Sequence, residues 1–385
     1  MTYTNAEKMI KKALARGSAE HFGRLLFKLG NPEKRLNLIK IYGTSGKSSV
    51  CALLSAALSA AGYRVGRLTS PIIHSVPESI CIYERPISID FFTKISDRVY
   101  KSICELKKEL DDGVQFSLGR EELLFAVSLM AFSEADCDFA IIEVPTDNVT
   151  HTLLSSPLLS VISTVDSTKS ARGICARLDR DSKEVVSAIQ SKEVHKLIFD
   201  KCAEINTRFS MPLKNAFVFM TAAAKRNEFT YRGKFYTNGC GAYYQANNFI
   251  TVLEAVEALR RLNVKIAGVD VCSAVLCDGI PLRFEIISIM PTIIIDRADT
   301  EEKCNALTES MKLIGCAATP TVVCENANEF TFTDYDVRLC EIPSNGFKKQ
   351  LRGILPTLTE DDTVIIIGSS EYCENAAKLT KEILM

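Results

Sequence analysis

Lys40 to Val50 reads KIYGTSGKSSV, and this stretch decides how the chain folds. An apolar run, LIKIYG, enters a turn carrying Gly43 and Gly46 and leaves it directly into SSVCALLSAALSAAG (48–62), a helical stretch. A buried strand, a glycine turn and a helix in immediate succession let several backbone amides converge, and the helix N-terminus adds partial positive charge. Such a place holds an anion. Lys47 is placed to reach a β- or γ-phosphate, and the hydroxyl of Ser48 or Ser49 to reach Mg²⁺. The spacing is shorter than G-x-x-x-x-G-K-[ST], so the flanking strand and helix supply the context that the pattern alone does not. The competing reading is a glycine-rich βα turn with an incidental lysine.

Outward from this turn, short β-branched runs alternate with helical stretches. FAIIEV (139–144), LLSVIST (158–164), TIIID (292–296), PTVVCE (320–325) and TVIIIG (363–368) are apolar without alternation. That pattern marks strands buried on both faces, as in a parallel sheet covered by helices. Amphipathic stretches at 122–135, 247–262 and 300–315 supply the helices, and an α/β architecture follows. FTYRGKFY (229–236) alternates around Arg232-Gly233 as a hairpin does. A domain boundary is expected near residue 288, giving a phosphate-loop domain over 1–287 and a smaller α/β domain over 288–385.

Composition excludes several classes. The 385 residues are enough for about two or three domains. With 46 Lys+Arg against 47 Asp+Glu there is no excess of positive charge to grip nucleic acid or an anionic membrane. The N-terminal MTYTNAEKMIKKALARG has no apolar core and no run approaches a membrane span, so a cytoplasmic protein is expected. The 14 cysteines are scattered, without a CxxC; Cys272 and Cys277 are the closest pair, which points to buried free thiols rather than zinc or disulfides. The four histidines, His21, His74, His151 and His195, form no ligand-spaced pair.

Further segments carry a resemblance in order along the chain. Leu29-Gly30-Asn31-Pro32 precedes the loop; Ala61 to Gly66 (AGYRVG), Leu68-Thr69-Ser70-Pro71, Pro77-Glu78-Ser79-Ile80 and Pro86-Ile87-Ser88 follow it. Later come Phe139 to Val144, Ser160 to Ser163, Gln245-Ala246-Asn247-Asn248, Leu282-Arg283-Phe284-Glu285, Ile295-Asp296 and Ile367-Gly368-Ser369. The chain resembles the folylpolyglutamate synthase/dihydrofolate synthase family of the Mur ligase superfamily, whose loop reads GTNGKGS. The resemblance implies a mostly parallel sheet like the Mur ligase central domain, followed by a smaller Rossmann-like domain. It also implies an ATP- and Mg²⁺-dependent ligase that joins a small-molecule carboxylate to an amino acid through an acyl phosphate.

Carried over by position, Gly43, Thr44, Ser45, Gly46, Lys47, Ser48 and Ser49 would hold the phosphates. Lys47 would neutralise charge on the transferred group, and Ser49, Ser70 and Glu143 would place Mg²⁺. Asn248 matches an adenine-contacting asparagine; Arg283 and Asp296 match residues approaching phosphates and ribose from the domain junction. Each has a plainer reading: Glu143 and Asp296 as paired buried carboxylates, Asn248 as a helix cap and Arg283 in a salt bridge.

The sequence also departs from the family. Where a glycine-rich GLGGRLDATN loop is expected, residues 143–150 read EVPTDNVT. Lys169 stands in ungapped register at the position of a metal-binding His; an ammonium does not ligate metal, yet as a fixed cation it could act catalytically. Lys192 is the nearest counterpart of a carbamylated lysine. DGAHNP becomes Asp296-Arg297-Ala298-Asp299-Thr300. Two readings remain open: a divergent ligase, on folate or on another acid, and a nucleotide-binding paralogue without ligation that acts as a binding or regulatory partner.

Overall fold

Five of the six residues of β1 (Asn37–Tyr42) are buried, Lys40 among them, which is how an apolar run without alternation sits at the centre of a sheet. In the computed structural model β1 lies between two parallel neighbours, β5 (Phe139–Glu143) and β6 (Leu159–Ile162). The structure describes residues 1–15, 17–70, 72, 75–109, 116–145, 157–178, 182–223, 226–239, 241–266, 280–315, 319–327, 330, 332, 335–344 and 346–384. They group into two compact units: Met1–Pro212 with Thr251–Gly268, and Leu213–Ile250 with Val269–Met385.

The first unit is built in chain order from α1 (Tyr3–Lys11), α2 (Ala19–Lys28), β1, α3 (Lys47–Ala60), β2 (Val65–Leu68), α4 (Val76–Ser79), β3 (Ile80–Ile82) and β4 (Arg85–Pro86). It continues with α5 (Ile89–Lys108), α6 (Arg120–Glu134), β5, β6, α7 (Thr168–Cys175), β7 (Glu184–Ser187), α8 (Lys192–Glu204) and β8 (Arg208–Ser210). Its eight-stranded sheet runs β4-β3-β2-β5-β1-β6-β7-β8, parallel from β2 to β8, with β3 and β4 added antiparallel at one edge. Every residue of α6 from Glu122 to Phe132 is buried, which explains its weak amphipathic pattern. Phe92, Leu124, Phe132 and Ala140 belong to one core cluster; Tyr42, Ile162, Ile174 and Ile198 belong to another. Ser18, Ser88, Ser167 and Ser191 cap α2, α5, α7 and α8 by accepting a first-turn N–H, each about 1 kcal/mol of helix stability.

The second unit carries the antiparallel sheet β9 (Phe217–Ala223), β10 (Arg226–Tyr231) and β11 (Lys234–Asn238). Its hairpin closes at Arg232-Gly233, both at positive φ (49° and 72°), the conformation a two-residue turn needs to match strand twist. Helix α9 (Tyr243–Arg261) runs through both units. A five-stranded sheet follows, formed by β12 (Glu285–Ile289), β13 (Thr292–Asp296), β14 (Thr321–Cys324), β15 (Arg338–Glu341) and β16 (Thr363–Ile367) in the order β12-β13-β16-β14-β15. All pairs are parallel except β12 with β13. The helices Glu301–Ile314, Phe347–Ile354 and Ser370–Leu384 complete it. The chain is thus α/β, a mostly parallel phosphate-loop sheet followed by a smaller α/β sheet.

The described cysteines are free thiols, and burial pushes those of Cys137, Cys202 and Cys304 up to about 12. Among the described residues no helix is long and apolar enough to cross a membrane, and no group of three His, Cys, Asp or Glu side chains is placed to hold a metal ion.

Candidate nucleotide-binding site

The parallel register of β1 and β5 sets Ile41 beside Glu143, so the loop after β1 and the carboxylate ending β5 meet at one edge of the sheet. This is the carboxyl edge, where open α/β sheets bind ligands. Gly43 has φ 137°, and a Cβ there would stand 2.1 Å from Ser163 Oγ and 3.2 Å from the Thr164 carbonyl oxygen. Only glycine fits. The Thr44 and Ser45 amides donate to the Thr164 carbonyl at 2.9 and 3.1 Å, and the Thr44 hydroxyl accepts from the Asp166 amide at 3.0 Å. Those two loop amides are therefore committed to tying the loop to the end of β6. Gly46, left-handed at φ 82°, starts α3 without a side-chain cap, and the N–H groups of its first turn have no intrahelical acceptor. The positive end of the helix lies here.

Glu143 is 3% exposed, a position that requires compensation of its charge. The Ser48 hydroxyl donates to its Oε2 at 3.0 Å, the Ser70 amide to the same oxygen at 3.4 Å, and Lys47 Nζ stands 4.0 Å from Oε1. Lys47 also donates to the Gly43 carbonyl at 3.0 Å, so its ammonium lies over the loop. Ser49 is buried on the same turn. Burial raises the Glu121 carboxyl, and the negative charges of Glu122 and Glu143 raise it further. The corner thus sets the Glu143 carboxylate and the Ser48 hydroxyl together, oxygen donors of the kind that suit a hard cation such as Mg²⁺. Lys169 lies in the first turn of α7 with its side chain exposed, three residues beyond Asp166, and Lys192 opens α8, also exposed.

The other predicted residues lie in the second unit. Asp296 ends β13, 4% exposed, and its Oδ2 accepts both the Phe284 amide at 2.7 Å and the Tyr244 hydroxyl. Burial raises its carboxyl above the usual range, opposed by the Tyr244 hydrogen bond and the Arg283 charge. Arg283 sits between Leu282 and Phe284, both at positive φ, and donates from Nη1 to the Leu282 carbonyl at 3.0 Å. Asn248, buried in α9, donates from Nδ2 to Gln245 Oε1 at 3.0 Å. Arg297 and Lys303 both pair with Asp299, and Thr300 caps the following helix. The structure therefore gathers Lys47, Ser48, Ser70 and Glu143 in one unit, and Arg283 and Asp296 in the other.

No protein-family model matches the chain. A dihydrofolate synthase/folylpolyglutamate synthase of Bacillus subtilis (strain 168) is 26% identical over 340 residues, 80% of this chain and 76% of the relative. Folylpolyglutamate synthetase from Lactobacillus casei superposes with a TM-score of 0.83 at 22% identity, all of each chain being covered. The chain is similar in sequence to the folylpolyglutamate synthases and has their fold. A folylpolyglutamate synthase–AMPPCP–folate complex aligns equally completely, with a TM-score of 0.81 and 21% identity.

Against the folylpolyglutamate synthase pattern, the segment replacing the glycine-rich loop lies outside the described residues from Thr146 to Thr150. Where the family has Gly-Ala-His-Asn after the strand-end Asp, Arg297 and Asp299 form an ion pair instead. Sequence reasoning missed Ser163, Thr164 and Asp166, which frame the loop from 120 residues away, and Tyr244, which adjoins the QANN segment. Adjacency to that segment was the one available signal for Tyr244; a backbone carbonyl such as that of Thr164 has none.

Proposed function

We propose that the chain binds MgATP at residues 43–49 and uses it to join a carboxylate to an amine, as a folylpolyglutamate synthase-like ligase. The observation that carries this reading is the cluster of Lys47, Ser48, the Ser70 amide and Glu143 at the open end of α3. The acid's carboxylate oxygen attacks the γ-phosphorus and the bond to the β-bridging oxygen breaks, giving an acyl phosphate and ADP. An amino acid's amine then adds to the acyl carbon, loses its proton, and expels phosphate as the amide forms. Both steps load negative charge onto phosphate oxygens, so a fixed ammonium and oriented N–H groups are the natural catalysts. Lys47 supplies the ammonium and the first turn of α3 the N–H groups. Glu143, with the Ser48 hydroxyl, Ser49 on the same turn and Ser70, would hold Mg²⁺, which when bound offsets charge on the phosphates. Asn248, Arg283 and Asp296 carry the nucleotide-binding roles that the resemblance implies, and Lys169 a fixed positive charge beside the reacting groups. The substrates would be a folate-like acid and a glutamate-like amine.

Calorimetry with MgATP tests the first half: Lys47→Ala should weaken or abolish binding. Release of ADP with folates, short peptides and other acids, each with and without glutamate, tests the second. The pairing of Arg297 with Asp299, the residue at the His position of the family's DGAHNP segment, favours a second reading, a nucleotide-binding paralogue without ligation. Binding of MgATP with no acid-stimulated ADP release selects it.

A further inference from the structure

Leu282, Arg283 and Phe284 form an unusual frame. Leu282 and Phe284 both hold left-handed backbone, at φ 57° and 55°, and both are buried, at 5% and 3% exposure, while Arg283 between them is only partly covered. Non-glycine residues in that region persist only where their surroundings over-determine them. Here the surroundings do. The Leu282 amide donates to Glu285 Oε2 at 3.0 Å, and the Leu282 carbonyl accepts from the Arg297 amide at 3.1 Å. The Phe284 amide donates to Asp296 Oδ2 at 2.7 Å, and the Arg283 amide to the Ile280 carbonyl at 3.1 Å. Two carboxylates thus grip the two amides on either side of Arg283.

Each carboxylate is itself held. Tyr244 donates its hydroxyl to the same Asp296 oxygen that takes the Phe284 amide, and Lys381 pairs with Glu285 Oε1 at 2.8 Å. A hydroxyl donor orients a buried carboxylate and favours its charged form, the stronger acceptor for an amide. We infer that Tyr244 and Glu285 are positioning residues: through the Phe284 and Leu282 amides they fix the left-handed frame that carries Arg283, the residue read as meeting a nucleotide phosphate. The inference rests on the reading that Arg283 meets phosphate.

The test is a double-mutant cycle in the full chain, read as MgATP affinity by calorimetry with adenosine as a phosphate-free control. Arg283→Ala should weaken ATP binding about tenfold or more, and Tyr244→Phe, which keeps the ring, several-fold. The double variant should be no weaker than Arg283→Ala alone, since the hydroxyl acts only through the guanidinium. Adenosine affinity should not move, whereas a general loosening of the unit would lower it equally. Unchanged ATP affinity in Tyr244→Phe, or losses that add in the double variant, overturns the inference while leaving Arg283 in its role. Unchanged affinity in Arg283→Ala overturns that role, and the inference with it. If Tyr244→Phe does not fold, Glu285→Gln reads the same frame through Leu282, with the same expected loss and the same result against it.

Discussion

The Ser48 hydroxyl donates a 3.0 Å hydrogen bond to Oε2 of Glu143, 95 residues further along the chain. One residue lies in the first turn of a helix and the other closes a strand, and the pair sits beside the ammonium of Lys47. A hydrogen bond to a charged group is worth about 1.5–3 kcal/mol. Ser48→Ala should therefore raise the Mg²⁺ concentration needed for ATP binding by about tenfold or more. Parallel titration of Ser49→Ala gives the comparison; the larger shift identifies the hydroxyl that serves the cation, and Ser48 is expected to show it.

Gly43→Ala should fail both as a fold and as a site. Its Cβ would overlap Ser163 Oγ at 2.1 Å, and its φ of 137° is a conformation that L side chains rarely adopt. Strain of this kind costs on the order of 1–3 kcal/mol before the overlap is counted. Thermal unfolding should show a lowered transition and calorimetry weakened MgATP binding; a variant indistinguishable from the parent would contradict the geometry of the loop.

Glu33 is 5% exposed, its Oε2 has no hydrogen-bond partner among the described residues, and burial raises its carboxyl above the usual value of 4.5. The folded state therefore holds this proton more tightly than the unfolded chain. Its contribution to stability is fully present below the unfolded value and is lost as pH rises through the raised folded value. Glu33→Gln, which cannot ionise, should be more stable than the parent at neutral pH and gain little at pH 4. Urea unfolding at the two pH values checks this, and equal stability differences at both would refute it.

Arg261 makes a forked contact with Glu184, Nη2 to Oε2 at 2.6 Å and Nε to both oxygens at 3.1 and 3.2 Å. The Glu184 side chain is 5% exposed and that of Arg261 30%, so solvent screens one partner. Arg261→Ala would leave a buried carboxylate uncompensated and should destabilise the protein by about 2–4 kcal/mol. Replacing both residues with apolar groups of similar size should recover part of that loss, as measured by denaturant unfolding.

Whatever can be read along the chain before it folds depends on near neighbours. The buried strands β1, β5, β6, β13, β14 and β16 were legible because unbroken apolar runs need only a count, and the hairpin at Arg232-Gly233 because its turn is two residues long. The glycines and Lys47 of the loop were legible from their spacing between strand and helix. The edge strands were not: β4 is Arg85-Pro86, both exposed, and β15 is exposed at three of its four residues, so neither has an apolar pattern. Such strands exist only because a neighbour offers a ladder to pair with. The site divides the same way. Glu143 could be named as a candidate, but its partnership with Ser48 is made by the parallel register of β1 and β5. The carbonyl of Thr164 under Thr44 and Ser45, and the Tyr244 hydroxyl on Asp296, were decided by the tertiary structure alone. Hydrogen bonds and ion pairs act over a few ångströms of space, and residues 52 or 120 positions apart reach that distance only after the sheets have formed.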